Sequence, residues 1–448
     1  MTPPPTAPAP APVPVTHRRV LGIALPIVLS NATVPILGAV DTGVVGQLGE
    51  AAPIGAVGMG AIILAFFYGL FGFLRMGTSG LVAQAFGAGQ REEVAAIFSR
   101  TLLLGGAFGL IILAAQLALF WAAFQVSPAS AEVETLARAY LEIRVLAAPA
   151  TLALYGITGW LIGLGRTRPV LVLQLWINGL NIGLDLWFVL GLGWGVEGVA
   201  WASLIAEATG LALGLWLCRD AFAEPAWRAT TRVFDAARLR LMAAVNGDIL
   251  IRSFLLQMIF ISFLFTGSAF GDVPLAANQV LLQFLEITAF ALDGFAFAAE
   301  AMVGQALGAR DRVGLRRSGL LTSLWGGVVC LALALAFGLF GGAIIDLMTT
   351  SETVRAEARL YLPYMVAAPL LGLAPWMLDG IFIGATRTAD MRNTAAISLV
   401  VYVLALAALT PWLDNHGIWL ALLISFVARG VTLGLRYPAL ERLAEPAS

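Results

Sequence analysis

Apolar residues run in stretches of twenty or more along the whole chain, separated by short breaks rich in glycine, proline and charge. Taking those breaks as boundaries gives twelve segments, at 20–46, 52–82, 93–124, 132–162, 169–192, 196–218, 238–267, 273–304, 313–343, 353–383, 391–412 and 417–436. A helix needs about 20 apolar residues to cross a bilayer core of roughly 30 Å, so each segment is a predicted transmembrane helix. The polar and apolar residues do not alternate over segments of about ten, as a membrane β-barrel would require. The pattern therefore predicts an all-α polytopic membrane protein with twelve transmembrane helices.

The longest break, "RDAFAEPAWRATTRVFDAARLR" (Arg219 to Arg240), leaves six segments on either side. The two sides also resemble each other. "LVAQAFGAG" (Leu81 to Gly89) matches "MVGQALGAR" (Met302 to Arg310) at an offset of 221 residues, and "GWLIGLGRT" (Gly159 to Thr167) matches "GIFIGATRT" (Gly380 to Thr388) at the same offset. "AYLEIRVLAAP", ending at Pro149, answers "LYLPYMVAAP", ending at Pro369, one residue out of step. Six helices per repeat bring both halves in from the same side, so the expected fold is two six-helix bundles related by a pseudo-two-fold axis along the membrane normal. Transporters that rock two bundles about a central cavity are built this way. The expected organisation is a disordered tail at 1–17, an N-terminal bundle at 18–218, a linker at 219–237, a C-terminal bundle at 238–440 and a short tail at 441–448.

Composition agrees: 60% of the residues are hydrophobic, 12% are charged, and the mean hydropathy is +0.89, where soluble domains carry roughly 25% charged residues. The opening "MTPPPTAPAPAPVPV" lacks the apolar core of a signal peptide, so the first helix reads as an uncleaved anchor. Arginine supplies every basic charge, since the chain has no lysine, and it falls mostly in alternate connections. By the positive-inside rule both termini and the linker are expected on the cytoplasmic side of a bacterial-type inner membrane. A net charge of −1 gives no reason to expect nucleic acid. With two histidines, and two cysteines (Cys218, Cys330) in apolar surroundings, no metal cluster of His and Cys is expected.

The candidate chemistry is carried by polar residues inside apolar runs. Asp41 stands in "PILGAVDTGVVGQL", where an ionised carboxylate at a helix centre costs roughly 2.5–3.5 kcal/mol on insertion scales. It serves either as a functional acid or as a helix-end group touching outer water; its repeat counterpart is Ser262, so the second half does without it. Asn181 and Asp185 are spaced i, i+4 and share a helix face, either as part of the same site or as a polar stripe joining helices. Asp248 and Arg252 share the same spacing on the seventh helix and are expected to neutralise each other. Glu286, Asp293 and Glu300 recur every seven residues on the eighth, as a buried salt-bridge network with Arg252 or as a wall attracting cations. Arg75 near the inner end of the second helix is expected to snorkel, and Pro26 removes a hydrogen bond from the first helix.

"LPIVLSNATVPILGAVDTGVVGQLG", "FGFLRMGTSGLVAQAFGAG", "GLNIGLDLWFVLG" and "ALDGFAFAAEAMVGQALGAR" resemble the multidrug and toxic compound extrusion (MATE) family, and "VNGDILIRSFLLQ" with "DGIFIGATRTADMRN" resembles its DinF-like branch. The resemblance covers about residues 18 to 438. It implies a V-shaped pair of bundles exporting organic molecules in exchange for protons or sodium, with coupling acids in the N-terminal bundle. It also implies that Ser203 joins Asp41, Asn181 and Asp185 in an all-oxygen cluster for H+ or Na+, and that Pro26 is where the first helix bends. Asp293 and Glu300 match the branch's DGxAxAxE pattern. Some relatives carry a tyrosine four residues before the acid; this chain has Leu37.

The expected function is a secondary antiporter for cationic or amphipathic drugs and toxic compounds, working as a monomer among membrane lipids, with no cofactor beyond its coupling ion and no catalytic site. No P-loop is present to suggest ATP as the driver. The alternative within transport is a lipid or lipid-linked sugar flippase, which would need several cavity arginines where Arg252 and Arg75 are the candidates. An intramembrane aspartyl protease would need a Gly-x-Gly-Asp motif, which does not occur.

Overall fold

The computed structural model describes residues 14–126 and 130–445. Most of the Pro/Ala-rich tail expected at 1–17 lies outside the described residues. The first half contains α1 (His17–Gly46), α2 (Ala51–Leu70), α3 (Phe73–Gly87), α4 (Arg91–Val126), α5 (Ala131–Arg144), α6 (Ala148–Gly163), α7 (Thr167–Asp185) and α8 (Gly195–Leu217). A short α9 (Thr230–Val233) follows, then α10 (Ala236–Ser268), α11 (Asp272–Gly308), α12 (Arg312–Met348), α13 (Glu352–Gly384) and α14 (Thr388–Arg442). No strand occurs among the described residues.

Two predicted spans are each made of two helices. α2 and α3 are interrupted at Phe71–Gly72, and α5 and α6 are joined by the tight turn Val145–Ala147 just before Pro149. Counting these pairs once, eleven helical stretches are long and apolar enough to cross a membrane. The last is 55 residues long and breaks at Asp414, whose φ of 48° and ψ of −129° are not helical. It therefore supplies two spans, and the twelve expected segments are all present.

The internal repeat is visible in the backbone. Among the described residues, the non-glycine positions with positive φ are Arg310, Thr386 and Asp414. Each stands 221 residues after a glycine with positive φ: Gly89, Gly165 and Gly193. A residue with positive φ thus follows the same helix in both halves, although a side chain there is disfavoured. Helix contacts repeat too. A Cβ on Gly159 would meet the Arg75 carbonyl oxygen at 2.3 Å, and one on Gly380 would meet the Ala296 carbonyl oxygen at 2.4 Å.

The chain divides into two compact units. One contains the chain up to Val28, Ala83–Gly89 and everything from Met242; the other contains Leu29–Val82 and Gln90–Leu241. Within the first, the beginning of α1 lies against α11, where Gly294 leaves room for the Ala24 carbonyl at 2.5 Å from where a Cβ would stand. In the same unit, Gln84 Nε2 donates to the Gly384 carbonyl at 3.0 Å and to Thr386 Oγ1 at 2.9 Å. A buried amide pair sits behind the α14 break: Asn278 and Asn415 exchange side-chain hydrogen bonds at 2.7 and 2.9 Å, and Trp419 Nε1 donates to Asn278 Oδ1 at 2.9 Å.

The second unit includes the linker, which is folded onto α4. Arg100, 3% exposed, pairs with Glu93 at 2.7 Å and donates to the carbonyls of Val233 at 2.9 Å and Arg232 at 2.5 Å. Ser99 Oγ donates to the Trp227 carbonyl at 2.6 Å, and Phe222 stacks edge-on against both Phe98 and Trp227. Asp235 then caps α10 by accepting from the Arg238 N–H at 2.9 Å. That bond, with a second from Ala237, holds its carboxyl below the usual carboxylate range.

Candidate functional site

The predicted acids of the first half meet. Asn178, Asn181 and Asp185 lie on one face of α7 and are all buried, at 3%, 2% and 0% exposure. The end of α1 packs along that face: Asn178 Nδ2 donates to Thr33 Oγ1 at 2.6 Å, and two turns further on Asp41, half-buried, stands beside Asp185 close enough for the two carboxyls to interact directly. Asn181 is oriented by its neighbours. Its amide nitrogen donates to Asp185 Oδ2 at 2.6 Å, and its oxygen accepts from Ser203 Oγ on α8 at 2.7 Å. The reverse orientation would turn the amide carbonyl toward the carboxylate. Asp185 Oδ1 remains buried without a hydrogen bond among the described residues.

This arrangement leaves the two carboxylates undercompensated. Among the described residues, Arg144 of α5 is the cation whose charge reaches both Asp41 and Asp185. It is already paired with Glu207 of α8 at 2.8 Å, and Thr151 holds the second oxygen of that glutamate. Two carboxylates facing each other in a low-dielectric bundle cannot both stay charged cheaply. A proton or a small hard cation between them would relieve the repulsion, and the orphaned Asp185 Oδ1 is an available oxygen for either. After Asp185, α7 continues as a π-helical stretch, Leu186–Gly191, a local distortion that recurs at functional sites. Pro26 is half-buried in a continuous α1, two residues before the boundary where that helix passes from one compact unit to the other. Leu37 occupies the position one turn before Asp41.

In the second half the pairing differs from expectation. Asp248 and Arg252 do not neutralise each other. Asp248 accepts from Arg392 Nη1 at 2.6 Å and from Thr388 Oγ1 at 3.1 Å, both on α14. Arg252 pairs with Asp379 of α13, which also takes Arg429 of α14 at 3.3 Å. Pairing across helices satisfies charges on α13 and α14 that a pair within α10 would strand in apolar surroundings. Nor is the acid of Arg252 supplied by the stripe on α11. Glu300 is buried, Asp293 is half-buried, and each has other interactions; Glu286 is exposed. Arg75 is half-buried and also partnered.

Sequence reasoning missed Thr33, Asn178, Arg144, Glu207, Asp379, Arg392 and Arg429. Asn178 could have been found, since it extends the Asn181–Asp185 face by one turn. Asp379 and Arg429 are also charged residues within apolar runs.

Comparison with known proteins agrees with this architecture. The MatE family profile matches twice, at residues 26–187 and 249–409, once in each half. DNA damage-inducible protein F of Escherichia coli strain K12 is 39% identical over 420 residues, covering 92% of this chain and 90% of that one. A probable multidrug resistance protein NorM of Caulobacter vibrioides is 28% identical, covering 94% and 91%. Among solved structures, the Vibrio cholerae MATE transporter VcmN in its bent form superposes with a TM-score of 0.85 at 18% identity, covering 96% and 97%. A transporter of the MOP superfamily from Pyrococcus furiosus gives 0.86 at 19%, with the same coverage. With both halves matched by one profile and a 39% identical relative spanning nearly its whole length, the chain is a multi-pass membrane protein of the MatE transporter family, similar to its DinF and NorM members.

Proposed function

We propose that the protein is a secondary active antiporter that exports cationic or amphipathic organic compounds in exchange for H+ or Na+. The observation that supports this reading is the charge count around Asp185: two neighbouring carboxylates share one nearby guanidinium, which is committed to Glu207. A site that lacks one or two positive charges in apolar surroundings is suited to load and release a small cation. Asp41 and Asp185 would carry the charge, Asn181 would hold Asp185, and Ser203 would hold Asn181. A multidrug resistance role is named for the NorM relatives, and drug-like compounds are the substrate class proposed here.

Coupling follows from differential affinity, since an ion shifts a conformational equilibrium only if it binds one state better. Helix α1 is the candidate element. Its first part lies against α11 at Gly294, and its later part is bonded to α7 through Thr33 and Asp41. Pro26 lies between Ala24 and Val28, the two residues that meet Gly294, and would take up the bend there. In this reading the protein works as a monomer in a bacterial-type inner membrane, and the arginine bias supports cytoplasmic termini. The test is dye efflux from proteoliposomes under an imposed proton or sodium gradient. Either gradient should drive export by the wild type and neither should drive export by Asp185→Asn. Dye movement indifferent to both gradients would overturn antiport.

A further inference from the structure

We infer that Arg252, Asp379 and Arg429 form a binding site for the oxyanion head of an amphiphile, a carboxylate or phosphate group carried on an apolar body. The three residues come from α10, α13 and α14, and their side chains are 12%, 8% and 8% exposed. Both guanidinium groups use the same Asp379 oxygen, Oδ2. The charged groups that act on Arg429 are Asp379, which attracts it, and Arg252, which repels it. The cluster thus holds two positive charges against one negative charge in apolar surroundings.

The hydrogen-bond count points the same way. A guanidinium has five N–H donors in a planar fork, and buried donors are normally satisfied. Here the Nε–H of Arg252 and that of Arg429 are both buried with no partner among the described residues. A planar oxyanion fits two such forks, because carboxylate and phosphate oxygens accept paired N–H groups at guanidinium spacing. It would supply the missing negative charge and the missing acceptors at once. The surroundings specify the rest of the ligand: Leu255 and Leu256, both half-buried, continue the face of α10 that carries Arg252, so a hydrocarbon body has apolar side chains to lie against. Asp379 is the internal competitor. It holds the arginines in place when the site is empty, and its charge sets how strongly an external anion is attracted.

The experiment measures binding by purified full-length protein in an uncharged detergent with no ion gradient, so it stands apart from the antiport reading. The probe is dansylaminoundecanoic acid, with its methyl ester as the uncharged control. The wild type is expected to bind the acid at least roughly tenfold more tightly than the ester, the scale of a charge-assisted hydrogen bond. Arg429→Gln leaves a balanced Arg252–Asp379 pair and should fold, yet lose that preference. Asp379→Asn removes the competitor and should tighten the acid. Native mass spectrometry after adding phosphatidylglycerol or phosphatidylcholine distinguishes the sources. Retention of the anionic lipid by the wild type but not by Arg429→Gln assigns the site to a lipid headgroup; probe binding without lipid retention assigns it to a transported amphiphile. Equal binding of acid and ester by the wild type, or an unchanged preference in folded Arg429→Gln, would overturn the site.

Discussion

Gly87 and Gln305 meet backbone to backbone: a Cβ on Gly87 would stand 2.0 Å from the Gln305 carbonyl oxygen. The contact is reciprocal, since a Cβ on Gly308 would stand 2.0 Å from the Gln84 carbonyl oxygen. The two copies of the Gln-Ala-x-Gly motif therefore cross with each glycine seated on the other's glutamine. Neither acceptor can move without its helix. Gly87→Ala and Gly308→Ala should each destabilise the protein by about 3 kcal/mol, the upper range for overpacking. Gly106→Ala on α4, with nothing within 4 Å, should be neutral or slightly stabilising. Thermal melting of the purified variants checks this, and an unaffected Gly87→Ala protein would mean the crossing is looser than described.

The carboxylate pair should behave as one unit. Asp41→Asn and Asp185→Asn keep side-chain shape while removing the loadable charge, so both should insert and fold. A coupled ion ordinarily changes partner affinity by about 5- to 150-fold, and in either variant that change should collapse to none. Ser203→Ala removes only the donor to Asn181 and should cost about 1 kcal/mol, leaving coupling weakened but present. Substrate affinity measured across pH and sodium concentration separates these cases. A folded Asp41→Asn protein whose affinity still varied with pH and sodium would remove Asp41 from the mechanism.

What the sequence made legible follows from how local each signal is. Apolar runs marked all twelve spans, and the break in α14 fell in the expected gap because Asp414, Asn415 and His416 interrupt the run. The interruption of α2 and α3 was hidden, since Phe71 and Gly72 sit in a continuous apolar stretch. Asp41, Asn181 and Asp185 stood out as polar groups in apolar helices; Ser203 needed a family resemblance. The partners that decide the electrostatics were not visible. Glu207 is 63 residues from Arg144, and Asp379 is 127 residues from Arg252. The Asp248–Arg252 reading failed for the same reason: spacing reveals neighbours on one helix, while desolvation favours partners on another.

The clamp at Arg100 should be structural. Arg100→Met would leave Glu93 without its buried partner and two linker carbonyls without a donor. Removing one member of a buried pair typically costs about 3–5 kcal/mol. Arg238, 3.9 Å from Glu93 and half-exposed, is too distant and too solvated to compensate fully. The expected result is a lowered melting temperature, partly recovered by adding Glu93→Gln. A melting temperature equal to the wild type would show that the linker holds without the clamp.

Orientation can be checked at the linker. Arg228 is exposed and follows the arginine-rich side of the chain. A cysteine at this position should escape a membrane-impermeant maleimide on intact cells and react after permeabilisation. Labelling of intact cells would invert the topology.

The discontinuous compact unit carries a consequence for biogenesis. When translation reaches Leu241, every residue of one unit has been made, including the linker that Arg100 secures. The other unit then has only its outlying pieces, the chain up to Val28 and Ala83–Gly89. These pieces must wait in the membrane for helices not yet synthesised, with Gly87 unable to find Gln305 until α11 is made and Gln84 unable to find Gly384 until α13 is complete. Insertion and assembly are therefore separate events for this chain, and the last helices delivered complete a structure begun by the first.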